Sequence, residues 1–422
     1  MKKSILEKLL SLKALVILLL LISTGCEKDE NPEDFLGSIT VQVQLKAGLG
    51  DISVENLNIS LVNIQDNIER KSLTNVQGIA NYESLPAGIY NINISESRED
   101  GLYYLTGSLS NVVVEMKQNT IANVTVDAVN PEANFVIKEV YHPGAADAYV
   151  SMFKDQFIEI FNNSSETIYA DSLYIACLFP ESPQTSEAPL AASHDITKFV
   201  YAEMIERVPG TGKQYPIAPG KSFVVALNAI NFKEGNPNAD KAIDNSNADF
   251  ERYAVDWLEA QGRNGNPYFD FDNPDVPNMT NIFMSEKHSI FIMEINGPSI
   301  VIFRSDKEFD SSDVYDYEYT NGYGNPAEVN LVKIPVENII DGIDIMENST
   351  LGDWKRLPTS IDASFTYLKA DGGSFYSSQS TRRKVDEVAS AKFGRVVLQD
   401  TNNSNADFET LDTPDPKGYD NL

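Results

Sequence analysis

Apolar and polar residues alternate with period two through much of residues 37–128, a rhythm that predicts short, half-buried strands. In SITVQVQL, Ile39, Val41, Val43 and Leu45 share one side, and in VENLNISLVNI the same holds for Leu57, Ile59 and Leu61. TNVQGIANYESLPAGIYNINIS predicts two strands, near 80–82 and 89–94, joined by a Pro-Ala-Gly turn. LTGSLSNVVVEM and TIANVTVDAV complete a set of short strands with regular turns, which predicts a β-sandwich. VNPEA (129–133) reads as a linker, and strands follow over 135–141, 156–162 and near 173–179. A different period appears after residue 245: Phe250, Ala254, Trp257 and Leu258 fall on one helical face, and Ser246-x-x-Asp249 before them fits a capping box.

The chain opens differently. Lys2, Lys3, Lys8 and Lys13 stand against one acid, Glu7, and ALVILLLLIS then runs apolar before LISTGC. A basic start, a short apolar core and small residues are the marks of a secretory signal, and the run falls short of the roughly 20 apolar residues that span a bilayer. LISTGC resembles the lipobox of bacterial lipoproteins, which implies cleavage after residue 25 and lipidation of Cys26. Lys28, Asp29 and Glu30 resemble the acidic export tag of Bacteroidetes surface lipoproteins, within an acidic tether over 26–36. The resemblance implies an outer-membrane protein, anchored by lipid and facing the extracellular side.

Two further resemblances rest on internal motifs. Thr74, Gly78, Ala80, Tyr82, Leu85, Pro86, Gly88 and Tyr90 carry a G-x-A-x-Y-x-x-L-P-x-G-x-Y pattern. It makes 37–128 similar to the carboxypeptidase-regulatory-like and Cna-B-like Ig modules, which implies a spacer or docking module with Tyr82 and Tyr90 in its core. Glu139, Tyr141, Glu159, Asn162 and Asn163 resemble the opening of the lamin-tail family. PIAPGKSFVVALNA (216–229), SIVIFRSDKEFDSSDVYDYEY and SFYSSQSTRRK resemble a later strand, a following hairpin and the closing strand of that family. Long insertions at 181–213 and 232–288 depart from it. As a whole, 131–422 resembles the DUF4876 type of Bacteroidetes lipoprotein, which implies company with TonB-dependent outer-membrane receptors. The expected fold is therefore mainly β: an N-terminal Ig-like β-sandwich, then a larger lamin-tail-like β-sandwich with long loop and helical insertions.

Charge narrows the partners. The formal net charge is −29, and cleavage before Cys26 would remove four Lys and Glu7, leaving the mature chain near −32. Such a chain is repelled by nucleic acid and by anionic membrane surfaces. The chain has two cysteines; with Cys26 lipidated, Cys177 in LYIACLF has no partner and reads as a buried thiol filling core space.

Candidate chemistry is sparse. No G-x-S-x-G, P-loop, G-x-G-x-x-G or H-E-x-x-H occurs, and the three histidines, His142, His194 and His288, show no metal-ligand spacing. Ser193, His194 and Asp195 are triad residue types, but adjacent side chains do not converge as a triad. NPYFDFDNPDVPN sets Asp270, Asp272 and Asp275 in a D-x-D-x-x-D spacing with Tyr268, Phe269 and Phe271 between them. That loop can hold Ca²⁺, or bind a polar ligand beneath a ring, or be a surface loop with its rings packed inward. Tyr315, Tyr317 and Tyr319 alternate with Asp316 and Glu318, as either an aromatic platform or a core-facing strand with one wet face. NSNADFE occurs at 245–251 and at 403–409, which suggests a shared turn anchored by Phe or an oxygen-rich calcium loop. Pro414 and Pro416 forbid a long helix after the second copy. Asp171-Ser172-Leu173 resembles a short Bacteroidetes O-glycosylation sequon. No cofactor is implied beyond a structural Ca²⁺. The expected function is non-enzymatic binding of a polar ligand or glycan, as an accessory to a TonB-dependent receptor in nutrient capture. An adhesive or structural surface protein is the alternative, followed by a glycan-active enzyme with a carboxylate pair that spacing does not reveal.

Overall fold

The computed structural model describes residues 36–46, 52–65, 68–98, 103–129, 134–145, 152–179, 185–234, 241–309, 311–368 and 375–419. Cys26, Lys28, Asp29 and Glu30 lie outside the described residues.

The N-terminal domain is built from β1 (Leu36–Leu45), β2 (Asn58–Asn63), β3 (Glu69–Leu73), β4 (Ile79–Pro86), β5 (Gly88–Arg98), β6 (Tyr103–Val114) and β7 (Asn119–Val129). They run in the order β3-β2-β5-β6-β7-β1-β4, antiparallel except for β1 beside β7. Alternation does what it predicts. Ile39, Val41, Leu57, Ile59, Leu61, Ile92, Leu105 and Val124 point into one apolar core, and the polar partners of each strand point out. Tyr82 and Tyr90 are buried and spend their hydroxyls on Ile59 O (2.7 Å) and Pro86 O (2.8 Å). Gly78 turns the chain at φ +74°, where a Cβ would sit 3.0 Å from Val43 O.

The C-terminal domain is a second, larger sandwich. One sheet contains β8 (Phe135–Tyr141), β9 (Phe157–Asn162), β14 (Ser222–Ala226), β15 (Phe250–Glu251), β22 (Ser380–Arg383) and β23 (Phe408–Leu411), ordered β15-β14-β9-β8-β22-β23. The other contains β11 (Tyr174–Leu178), β12 (Phe199–Arg207), β16 (Thr280–Met284), β17 (Ser299–Phe303), β18 (Val314–Thr320), β19 (Pro326–Pro335), β20 (Ile339–Met346) and β21 (Thr366–Tyr367). Its path is β18-β19-β12-β11-β17-β20-β21, with β16 also pairing β12. A short β10 (Ile168–Tyr169) pairs β13 (Pro216–Ile217). Ile137, Ile158, Ile160 and Phe223 from the first sheet meet Ile175, Cys177, Ile300, Ile302 and Ile343 from the second in the main core. Cys177 is a buried free thiol 3.7 Å from Arg252 Nη2, and burial pushes it up to about 11.

Two expectations are corrected, and a third stretch holds more than expected. The stretch 181–213 contains β12, which lies between β11 and β19 and is buried on both faces. Its two glutamates masked it: Glu206 is paired with Arg252 Nε at 2.5 Å and Glu203 with Lys287 Nζ at 2.7 Å, so both acids are buried as ion pairs. The expected hairpin of β17 and β18 does not form. β17 pairs β11 and β20, and β18 pairs the following β19 across a turn at Asn321–Gly324. The helix expected from Phe250 onward begins only at α1 (Val255–Ala260); Phe250 and Glu251 are strand, beside β14. Asp249 accepts the Val224 N–H (2.8 Å) rather than closing a capping box.

Candidate functional site

The two domains meet through β6. Tyr104 OH donates to the Asp386 carboxylate, and Ser108 Oγ donates to Thr359 O at 3.1 Å. Beside this contact the outer face of β2 and β5 looks across at residues 349–367 and 399–406, enclosing a cleft of about 350 Å³. That volume lies in the range of small-ligand pockets, about 300–1,000 Å³.

Strand periodicity sets one wall. Where Ile59, Leu61, Ile92 and Ile94 point into the core, Ser60, Asn91, Asn93 and Ser95 must point out. Register places Lys71, Ser60, Asn93 and Ser108 in one row across β3, β2, β5 and β6, ending at the domain contact. The opposite wall carries Phe365 and Tyr367, both half-buried, and the second NSNADFE copy through Asn403, Asn405 and Ala406. That copy forms α3 (Ser404–Asp407), with Asn403 capping it by accepting the Ala406 N–H at 3.2 Å; α2 (Glu387–Phe393) precedes it. Asn403 and Thr401 also line an adjoining crevice of about 280 Å³ between the domains.

The cleft is nearly free of charge in a chain of net charge −29. Glu69 and Lys71 are its charged lining residues, paired at 3.3 Å, and Ser60 Oγ donates to Glu69 at 2.6 Å. Asn91 Oδ1 accepts the Asn111 N–H (3.1 Å), while Asn93 Oδ1 is buried with no hydrogen-bond partner. Side-chain amides, which donate and accept side by side, suit a ligand with hydroxyl or amide groups.

The residues singled out from sequence lie elsewhere in the C-terminal domain. In the 266–278 loop, Tyr268 is 82% exposed, and Asp272 and Asp275 are exposed. Asp270 turns inward, accepts the Ala254 N–H (3.0 Å) and is pushed by burial up to about 7. Asp272 accepts from Asn278 Nδ2 (2.9 Å). The three carboxylates therefore do not converge, and no cluster of three or more His, Cys, Asp or Glu able to hold a metal occurs among the described residues. Asn228 pins this loop, donating to Phe269 O and accepting the Phe271 N–H.

Tyr315, Tyr317 and Tyr319 share one face of β18 and Asp316 and Glu318 the exposed other. Tyr317 and Tyr319 stack at 5.8 Å and meet Phe179 edge-on, and Lys333 Nζ lies 4.7 Å from the Tyr315 ring. The rings thus pack inward over the sheet. Ser193 Oγ lies 2.7 Å from His194 Nδ1, but Asp195 accepts from the Thr197 N–H (3.0 Å), so no triad assembles. Asp171 accepts the N–H groups of Gly212, Gln214 and Tyr215, which accounts for it as a turn clamp.

Residues 218–415 match the family model described as Protein of unknown function (DUF4876). A comparison with curated proteins finds no match. Among solved structures, a DUF4876 family protein from Bacteroides thetaiotaomicron VPI-5482 aligns over 88% of this chain and 94% of that one, at 23% identity and TM-score 0.53. This likeness shows a shared fold. The Bacillus anthracis TIE protein (12% identity, 45% of this chain, 28% of that one, TM-score 0.17) is far more distant. So is the major pilin SpaD from Corynebacterium diphtheriae (13%, 40% and 45%, 0.18).

Proposed function

We propose, from a C-terminal domain of the DUF4876 family closed against an N-terminal sandwich, that the protein is a non-enzymatic binding protein. It is held at the outer membrane through Cys26, displayed on the extracellular side, and serves a TonB-dependent receptor in nutrient capture. The cleft between the domains is its ligand site. One observation carries this reading: a walled, ligand-sized cavity whose lining offers hydrogen bonds and rings but no reacting groups. Hydrolysis of a glycoside takes two carboxylates flanking the bond, about 5–9.5 Å apart. Glu69 is the single carboxylate of the lining, already tied to Lys71 and Ser60.

The test uses the full lipidated chain, affinity-purified from native outer membranes beside an Asn93→Trp variant whose indole fills the cleft. Mass spectrometry reads both bound small molecules and accompanying proteins. The expected result is a small ligand retained by the wild type and lost by the variant, with a TonB-dependent receptor in both preparations. Retention of the same ligand by both chains would remove the cleft from the mechanism. Absence of the receptor, with host matrix proteins in its place, would make the protein an adhesin.

A further inference from the structure

We infer that the ligand class of this cleft is a short neutral saccharide; the inference rests on the reading that the cleft is the ligand site. Three observations converge on it. The first is charge. Glu69 and Lys71 cancel each other within the lining, so an ionic ligand finds no free counter-charge. An anion would in addition enter the field of a chain at −29.

The second is hydrogen-bond complement. Asn58, Asn91 and Asn93 stand on one wall, Asn403 and Asn405 on the other. A primary amide donates and accepts side by side, which matches neighbouring hydroxyls that do the same. Asn93 stands between Asn91 and Ser95 on the outward face of β5, at the middle of this wall. The third is the pair of rings. Phe365 and Tyr367 offer apolar faces for the C–H side of a pyranose. Gly352 backs Phe365 closely; a Cβ there would lie 3.2 Å from the ring, so the aromatic wall is held in place.

Place in the fold separates a saccharide from a peptide. An extended peptide is recognised mainly through backbone hydrogen bonds at a sheet edge. This cleft lies on the face of the sheet, where β2 lies between β3 and β5, and β5 between β2 and β6, so their backbone groups are used in the ladder. Recognition falls to side chains, and these are amides, hydroxyls and rings.

The experiment is calorimetric titration of the full lipidated chain in detergent. The probes are neutral gluco-, manno- and galacto-oligosaccharides of two to four residues, their uronic acid counterparts, and a tetrapeptide mixture. At least one neutral saccharide is expected to bind, with an affinity unchanged between 50 and 500 mM NaCl. Asn93→Ala and Phe365→Ala should each weaken it about tenfold or more, with Tyr268→Ala, outside the cleft, unchanged. Asn93→Ser and Phe365→Trp should restore part of the loss, and thermal unfolding confirms that each variant is folded. Binding of uronates or peptides alone, of no probe at all, or of a saccharide indifferent to both alanine variants overturns the inference. If no saccharide binds while Asn93→Trp still loses its co-purified small molecule, the class falls and the site stands. If Asn93→Trp loses nothing, the site itself falls.

Discussion

Replacing Arg383 with Met should destabilise the C-terminal domain by about 3–5 kcal/mol, the usual cost of removing one partner from a buried ion network. The guanidinium is 1% exposed and joins three carboxylates: Asp341 at 2.5 Å, Asp400 at 3.1 Å and Asp407 at 3.7 Å. Its Nε donates to Ile137 O at 2.8 Å, and its plane lies 4.5 Å over the Phe408 ring. One side chain thus ties β8, β20 and the second NSNADFE copy together. Burial holds Asp341 up near 7 and Asp407 up near 6 even with the cation present. Without it both rise further. An acid with a raised folded-state value binds its proton more readily when folded, so the variant regains stability as pH falls from the folded value toward the unfolded one near 4. At roughly 2–4 °C per kcal/mol for a domain of this size, the melting temperature should drop by about 6–20 °C at pH 7.5. The drop should be clearly smaller at pH 5.5, and Arg383→Lys, which keeps the charge but loses the fork, should fall between. Scanning calorimetry of the full chain at both pH values decides it. A drop under about 2 °C at pH 7.5, or an equal drop at both pH values, would refute the reasoning.

The wild type carries the same sign. Burial raises Glu139 and Asp270 each to about 7, which together outweigh the opposite effect of buried His142, lowered to about 3, so the melting temperature should rise as pH is lowered from about 7.5 to 5, and a flat or falling profile counts against it. Cys177, raised to about 11 and buried, should resist a maleimide-type reagent at pH 8 and react fully in guanidinium; equal rates in both would mean the thiol is open. Gly144 has φ +77° and a Cβ there would lie 2.8 Å from Phe153 N and Cα, so Gly144→Ala should cost roughly 2–4 kcal/mol in denaturant unfolding, and a cost under about 0.5 contradicts the close approach. EDTA should leave the melting temperature within about 1 °C, because Asp270 faces inward while Asp272 and Asp275 do not; a larger loss would restore calcium to this loop.

Strand periodicity made most of the N-terminal sandwich legible, down to the inward tyrosines, because β1, β2 and β5 each have one wet face, whereas β3 is open on both sides and carries no such rhythm. The C-terminal domain was harder where strands are buried on both sides. In β12 the alternation is broken by Glu203 and Glu206, whose partners Lys287 and Arg252 are distant in sequence. The tyrosine face of β18 was readable from period two, but not its pairing with β19 rather than β17. The cleft had a signal that local reading passes over: the outward positions of β2 and β5 are Asn, Ser and Val where a solvated face would carry charge. Its other wall lies about 300 residues away, and no local pattern announces that Ser108 meets Thr359 or Tyr104 meets Asp386.

The two NSNADFE copies separate what seven residues dictate from what their surroundings decide. In both, the fourth residue's N–H returns to the carbonyl of the first at 2.9 Å, and the Phe enters the main core. Both copies end in strands at opposite edges of the same sheet, β15 and β23. The turn and anchor are therefore local properties, set by Asn and Phe. The Asp is not. Asp249 takes the Val224 N–H and the Lys417 ammonium (2.9 Å) at one edge, while Asp407 takes Thr401 and the Arg383 network at the other. The first copy follows a chain that stays on the sheet, so its next residue, Glu251, is buried and holds the Ala229 and Asn273 N–H groups. The second follows a chain that crosses to the domain interface, which leaves Asn405 exposed on the cleft wall. An edge motif that ends a sheet in one place sets amides on a cleft wall in the other, because the N-terminal domain stands opposite it.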